Sequence, residues 1–279
     1  MAKRIISAGS SIASRRRSTD ARETRTRGAR IAGLATAAGP WFYSPFEDWG
    51  SEFIRLPEDE SHHAVRVLRV TPPDVITVTD GAGTVARCAV DGVFEGRLVA
   101  EVLERESRPR LRPEIVVYQG AAKGTKLDGL IERLAELGVA EVWTFDSERA
   151  VARWDSNKID KLNDRWRTIA RSAAKQSRNP FFLKATAGLS WKEALERIDR
   201  EPFAVTLWEE ASLPLRTALE QADRVAVVVG PEGGFSREEA ESLADAGAPL
   251  LSLGPQILRT ENAALVATSA LLYHYGLIG

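Results

Sequence analysis

The stretch RVAVVVG, residues 224–230, narrows the fold more than any other part of the chain. Five consecutive apolar residues, four of them valine, form a strand that is equally apolar on both faces, so both faces must be covered. The same reading fits EIVVYQG (114–120), EVWTF (141–145), FAVTLWE (203–209) and PLLSLG (249–254). Helical periods separate some of these strands. Residues 124–138 put Leu127, Leu130, Ile131, Leu134 and Leu137 on one face and stop at Gly138, and 156–178 carry Ile159, Leu162, Trp166, Ile169 and Ala173 at steps of three and four. Helices alternating with doubly covered strands predict an α/β domain with a parallel sheet, spanning 111–279.

Residues 39–110 follow a different period. EFIRLP (52–57), DVITVTD (74–80), GTVARCAV (83–90) and RLVAEVL (97–103) read as short strands bounded by turns, and SHHAVRVLR (61–69) as a short helix opened by Ser61 as its cap. Short strands with one helix predict a small β-barrel. GAGTVA (81–86) has the letters of a dinucleotide-binding fingerprint, but a strand follows it where that motif needs a helix. ESRPRLRP (106–113) reads as the linker between the two domains.

Composition matters mainly for what it excludes. One cysteine, Cys88, and three histidines leave no disulfide framework and no metal site to expect. No apolar run reaches the roughly 18 residues of a membrane span. Residues 1–38 carry nine lysines and arginines against Asp20 and Glu23, a net +7, with no aromatic residue. They read as a disordered basic extension. The expected location is cytoplasmic, or an organelle if that extension is a transit peptide. A second basic segment, 149–184, has ten lysines and arginines against three aspartates, which suits either phosphate contact or a solvated face.

In an open parallel sheet, ligands bind beyond the carboxyl ends of the strands. Two of those ends are unusual. GPEGGFSREE (230–239) is glycine-rich and closes with a Ser236/Glu239 capping pattern. LGPQILRTENAA (253–264) sets Arg259-Thr260-Glu261-Asn262 at the seam between a strand and an almost wholly apolar helix. Thr260 is a candidate helix cap, and Arg259 with Glu261 either a structural ion pair or reactive groups.

Together these two segments resemble the SPOUT superfamily of knotted methyltransferases, and in particular the ribosomal RNA small subunit methyltransferase E family. HHAVRVLR (62–69), KGTKLDGLIERLAELGV (123–139), SERA (147–150), RW (165–166) and QS (176–177) are similar to that family too. The resemblance covers about 41–276. Asn262, where the family usually has Thr, and Arg178 directly after QS depart from its pattern. The resemblance implies a PUA-like RNA-binding barrel, a C-terminal trefoil-knotted domain, S-adenosyl-L-methionine as donor, a homodimer, and N3-methylation of a uridine in 16S ribosomal RNA of the small ribosomal subunit. By the same resemblance, Leu207, Gly230, Pro231, Glu232, Gly233, Gly234, Leu253, Gly254, Ile257, Leu258 and Ala263 would bind the donor. Arg259 and Glu261 would be catalytic at the pocket rim. His63, Arg69, Lys123, Arg149, Arg165, Arg171, Gln176 and Arg178 would contact RNA. A non-catalytic RNA-binding assembly factor and a knotted 2′-O-ribose methyltransferase are the alternatives.

Overall fold

The computed structural model describes residues 39–279, so the basic extension 1–38 lies outside the described residues. The chain divides into two compact units. One runs up to Val78 and adds Ala86–Glu106; the other takes Thr79–Val85 and Ser107–Gly279.

The first unit is built on a five-stranded sheet of β1 (Trp41–Tyr43), β2 (Phe53–Arg55), β3 (Val75–Thr79), β4 (Thr84–Phe94) and β5 (Arg97–Ser107), in the order β1-β3-β4-β5-β2. Phe42, Ile54, Leu56, Ile76, Val78, Cys88 and Leu98 fill its core. Burial pushes the Cys88 thiol up to about 12, so it stays protonated and serves as a small apolar side chain. β4 and β5 run several residues beyond the expected strands. Glu95 and Gly96 both take positive φ, 51° and 79°, which lets a tight hairpin join them. The short helix α1 (Glu58–His62) starts after Pro57 and passes into a wider turn over His63–Val67. Ser61 is therefore not a cap. Its hydroxyl lies inside the helix, donating to Leu56 O at 3.2 Å and accepting from Leu98 N–H at 2.8 Å, which ties the helix to β5.

The second unit is the parallel sheet that the valine run requires. Its strands are β6 (Glu114–Gly120), β7 (Glu141–Phe145), β8 (Lys184–Leu189), β9 (Ala204–Leu207), β10 (Arg224–Val229) and β11 (Leu250–Leu251), in the order β11-β9-β10-β6-β7-β8. β10 is central, flanked by β6 and β9. Val225, Val227 and Val229 face a core shared with α2 (Lys126–Glu136), α3 (Ser156–Ser177) and α6 (Thr260–His274). Ala226 and Val228 face the opposite core, under α4 (Trp191–Ile198) and α5 (Arg237–Asp245). The two-residue alternation of one strand thus feeds both layers. β11 is shorter than the expected 249–254, because the chain leaves the sheet at Ser252. There Ser252 N–H bonds Leu213 O at 2.8 Å, and Leu215 N–H bonds Ser252 O at 2.9 Å.

The amino ends of the strands are locked by charge. Arg224, the first residue of β10, reaches Glu201 at 2.7 Å, Glu141 of β7 at 3.2 Å and Glu114 of β6 at 3.7 Å. Tyr118 and Trp143 donate to Glu201 and Glu141 at 2.8 and 2.7 Å. Partial burial works to raise the Glu141 pKa, but the hydrogen bonds from Arg224 and Trp143 outweigh it and hold the carboxyl below its ordinary 4.5. Arg224→Ala would leave three carboxylates facing one another, and we expect it to cost roughly 3 kcal/mol at neutral pH. A carboxylate with a depressed folded pKa stabilises the fold above its unfolded pKa and loses that contribution as pH falls through the folded value. The gap between wild type and Arg224→Ala should therefore be full at pH 7 and shrink below about pH 4.5, which urea melts across that range would measure.

Candidate active site

At the carboxyl end of the sheet, the loops after β6, β9, β10 and β11 converge. One buried cluster holds three of these segments together. Gln119, at the end of β6, is fully buried and donates through Nε2 to Thr260 Oγ1 at 2.7 Å, Gly120 O at 3.1 Å and Gly230 O at 3.4 Å. The Thr260 hydroxyl donates in turn to Gly230 O. These bonds join the end of β6, the 230–236 loop and the first turn of α6. Thr260 is thus not the helix cap. Arg259 occupies the cap position without a side-chain capping bond, and Thr260 is the first helical residue.

The loops are also packed backbone to backbone. A Cβ at Gly120 would fall 2.3 Å from Pro231 N, so only glycine admits the loop. Gly234 has φ +69°, and a Cβ there would meet the Glu209 carboxylate at 2.6 Å. Gly254 differs: φ is +129°, and a Cβ would meet nothing within 4 Å, so its backbone borders open space.

That space is a cavity of about 1340 Å³ within the second unit. Of the donor-binding candidates, Leu207, Gly230, Pro231, Glu232, Gly234, Leu253, Gly254, Ile257, Leu258 and Ala263 line it, and Arg259 lines it as well. Gly233 does not; it packs against Arg149, whose carbonyl oxygen a Cβ would meet at 2.8 Å. Glu261 does not line it either. Its Oε2 is buried without a hydrogen-bond partner, and among the described residues it forms no ion pair with Arg259. Arg259 is extended at the cap position (φ −64°, ψ 151°), whereas Glu261 is already inside the first helical turn. Glu232 is engaged by Lys126 Nζ at 3.1 Å and by the Lys123 backbone N–H at 3.3 Å. Burial works to raise its pKa, but these bonds hold it below the ordinary carboxylate value.

The RNA candidates fall in both units. His63 and Arg69 belong to the first unit, where His63 meets the Phe42 ring edge-on at 6.4 Å and Arg69 has φ +55°. In the second unit, Arg165 is held by Asp128 at 2.6 Å and Arg149 donates to Phe235 O at 3.2 Å. Arg171 and Gln176 lie on α3, Lys123 is exposed after β6, and Arg178 ends α3 with φ +59°. Sequence reasoning did not single out Gln119, Trp208, Leu215, Tyr273 or Lys126 as site residues. Gln119 did carry a signal, as a polar residue at the end of an otherwise buried apolar strand.

Comparison with known proteins agrees with this geometry. The profile of an RNA methyltransferase domain matches residues 109–272, and that of an RNA methyltransferase PUA domain matches 56–103. Ribosomal RNA small subunit methyltransferase E of Mycobacterium bovis is 39% identical, over 76% of this chain and 83% of its own. The chain belongs to the ribosomal RNA small subunit methyltransferase E family. Solved structures agree with that membership. The enzyme of that name from Neisseria gonorrhoeae, bound to S-adenosyl methionine, superposes with TM-score 0.75 at 28% identity, covering 85% of this chain and 98% of its own. A putative methyltransferase from Legionella pneumophila in complex with SAM gives 0.77 at 27% identity, with the same coverages. Membership carries the α/β domain with its parallel sheet and the PUA domain; among the described residues no helix is long and apolar enough to cross a membrane.

The loop-joining cluster makes a testable energetic claim. Thr260→Val keeps the shape but removes both a donor and an acceptor, and Gln119→Leu removes the opposite partner. Each is expected to cost about 1–3 kcal/mol, with Thr260→Ser near neutral. The double variant should cost clearly less than the sum of the singles, as denaturant melts of all four proteins would reveal.

Proposed function

We propose that this chain transfers a methyl group from S-adenosylmethionine to N3 of a uridine in 16S ribosomal RNA. The observation that carries the reading is the cavity at the carboxyl edge of the parallel sheet, with Arg259 in its wall and the Gln119–Thr260–Gly230 cluster behind it. The names of the relatives and the donor-bound neighbours support it.

The walls fit such a donor. Leu207, Leu253, Ile257, Leu258 and Ala263 offer apolar surface, while Gly230, Pro231 and Gly254 offer main chain that side chains do not obstruct. When bound, S-adenosylmethionine supplies an electrophilic methyl group on a sulfonium sulfur. At about 1340 Å³ the cavity exceeds the roughly 300–1,000 Å³ of an ordinary ligand pocket, which leaves room for a nucleotide beside the donor. The N3 proton of uracil is weakly acidic, roughly like a tyrosine hydroxyl at about 10, so nitrogen becomes nucleophilic only as the proton leaves. Arg259 stabilises the negative charge that then spreads onto the two uracil oxygens. Neither proposed carboxylate suits the proton transfer: Glu261 lies off the cavity, and Glu232 is a weak base tied to Lys126. Glu209 and His274 also line the cavity, so the proton passes to one of these or to water.

Two finer features complete the reading. The 208–223 segment meets the chain again at Ser252, and Tyr275 donates its hydroxyl to Glu220 O. We take this crossing as the trefoil knot. The chain also works as a homodimer through the exposed face of α6 and the loop before it, where Ile257, Val266 and Tyr273 border the cavity. That helix buries Ala264, Ala267, Leu271 and Leu272 in its own subunit, while Val266 is 45% and Tyr273 72% exposed, and Ile257 in the preceding loop is 88% exposed. Leu271, fully buried, is a core residue. Val266→Asp should shift the protein to monomer in sedimentation while leaving its circular dichroism unchanged; a variant that stays dimeric would count against this interface.

Arg259 offers the direct chemical test. Arg259→Ala is expected to lower single-turnover methylation by about 10²–10³-fold while calorimetry finds donor affinity nearly unchanged. Arg259→Lys should recover only part of the rate, since a point charge does not reproduce the planar guanidinium fork. Turnover that survives Arg259→Ala would remove the catalytic role.

A further inference from the structure

A second cavity, about 510 Å³, opens at the carboxyl ends of β7 and β8 in the same unit. Asp146, Ser147, Arg153, Trp191, Ser236 and Glu238 are among its walls. It shares a loop with the first cavity: Pro231, Glu232, Gly234 and Phe235 border the first, and Ser236, the next residue, borders the second.

Its chemistry is unlike that of an anion site. The amino ends of α4 and α5 meet here, but each is already closed by its own capping box, Ser190 with Glu193 and Ser236 with Glu239. The Glu239 carboxylate is fully engaged, accepting from Glu148 N–H at 2.7 Å and Ser236 N–H at 3.0 Å. What remains open is acceptor capacity. Asp146 Oδ1 and Ser147 Oγ, neighbours at the end of β7, are both buried without a hydrogen-bond partner, and Ser147 is only 4% exposed. Buried polar atoms are nearly always paired, so two adjacent orphans at a cavity wall point to a group that donates to them. Trp191 adds an aromatic wall, fixed by Phe145 at 5.8 Å and Phe235 at 6.2 Å between ring centroids. Arg153 is exposed, and among the described residues it has no ion-pair partner.

We propose that this second cavity binds an amino-bearing nucleobase (cytosine, adenine or guanine) of the RNA substrate, with Asp146 and Ser147 reading its amino edge. The base lies against Trp191, as single-stranded bases lie on aromatic side chains elsewhere. Its exocyclic amine donates to Asp146 Oδ1 and Ser147 Oγ, a pairing that carboxylates make with the cytosine amine. Arg153 meets the adjoining phosphate. Uracil is disfavoured, because it would turn carbonyl oxygens towards the carboxylates of Asp146 and Glu238. The inference rests on the RNA-methyltransferase reading and adds to it a second base, distinct from the one methylated.

The test compares fluorescently labelled hexacytidylate and hexauridylate RNA, titrated with the full chain saturated in S-adenosylhomocysteine. Wild type is expected to bind hexacytidylate about tenfold more tightly. Asp146→Asn should abolish the preference, and Ser147→Ala, a smaller change in the fold, should reduce it several-fold. Melting temperature and S-adenosylhomocysteine affinity of both variants should match wild type, which a merely structural role would not allow. Equal binding of the two RNAs by wild type would overturn the proposal, as would a preference that persists in both variants. Failure of wild type to bind S-adenosylhomocysteine in calorimetry would instead sink the methyltransferase reading, and this inference with it.

Discussion

The amide of Gln119 holds together what the reaction needs. It sits in a fully buried position where β6 ends, and its Nε2 reaches a threonine 141 residues away in sequence and a carbonyl 111 residues away. A parallel sheet delivers its loops to one edge but does not fix them relative to one another. Here a donor with two hydrogens and a hydroxyl that both accepts and donates fasten the loop after β10 to the first turn of α6. Arg259 immediately precedes that turn, so its backbone direction is set by the same bonds. Because the cluster is buried, breaking one bond leaves a desolvated polar group and not a hydrated one.

Charge divides the two ends of the sheet between stability and function. At the amino ends, Arg224 gathers Glu114, Glu141 and Glu201 into a closed network whose members already have partners. At the carboxyl ends, Arg259 faces one cavity, and Asp146 and Ser147, which line the other, keep buried atoms unpaired. Incomplete hydrogen bonding at the end where loops converge is what a surface kept for a ligand would leave. The satisfied end supplies the rigidity that lets the other end remain incomplete.

How much of this was legible depended on whether a residue's neighbours were local. The valine run of β10 and the leucines of α2 announced their elements because period alone decides which face they bury. β8, Lys-Ala-Thr-Ala-Gly-Leu at 184–189, did not, since small residues at a sheet edge carry little pattern. The loops bearing Gly230 and Gly254 were legible from their glycines and their position at strand ends. Ser61 and Thr260 both resembled helix caps, yet each hydroxyl is spent on a partner remote in sequence, Leu98 for Ser61 and Gly230 for Thr260. The resemblance implied Glu261 beside Arg259 at the pocket rim; Arg259 lines the cavity from the extended cap position, and Glu261, inside the helix, does not. A pattern read along the chain does not contain contacts made across it.

The central claim is that the cavity at the carboxyl edge performs methyl transfer to a base nitrogen. It is tested most directly by incubating the full chain with small-subunit ribosomal RNA or subunits and S-adenosylmethionine carrying an isotopically labelled methyl group, then digesting the RNA and identifying the labelled nucleoside by mass spectrometry. The account predicts label in 3-methyluridine, at one site and dependent on Arg259. Label on a ribose 2′-oxygen, or none in a protein that still binds the donor, would contradict it.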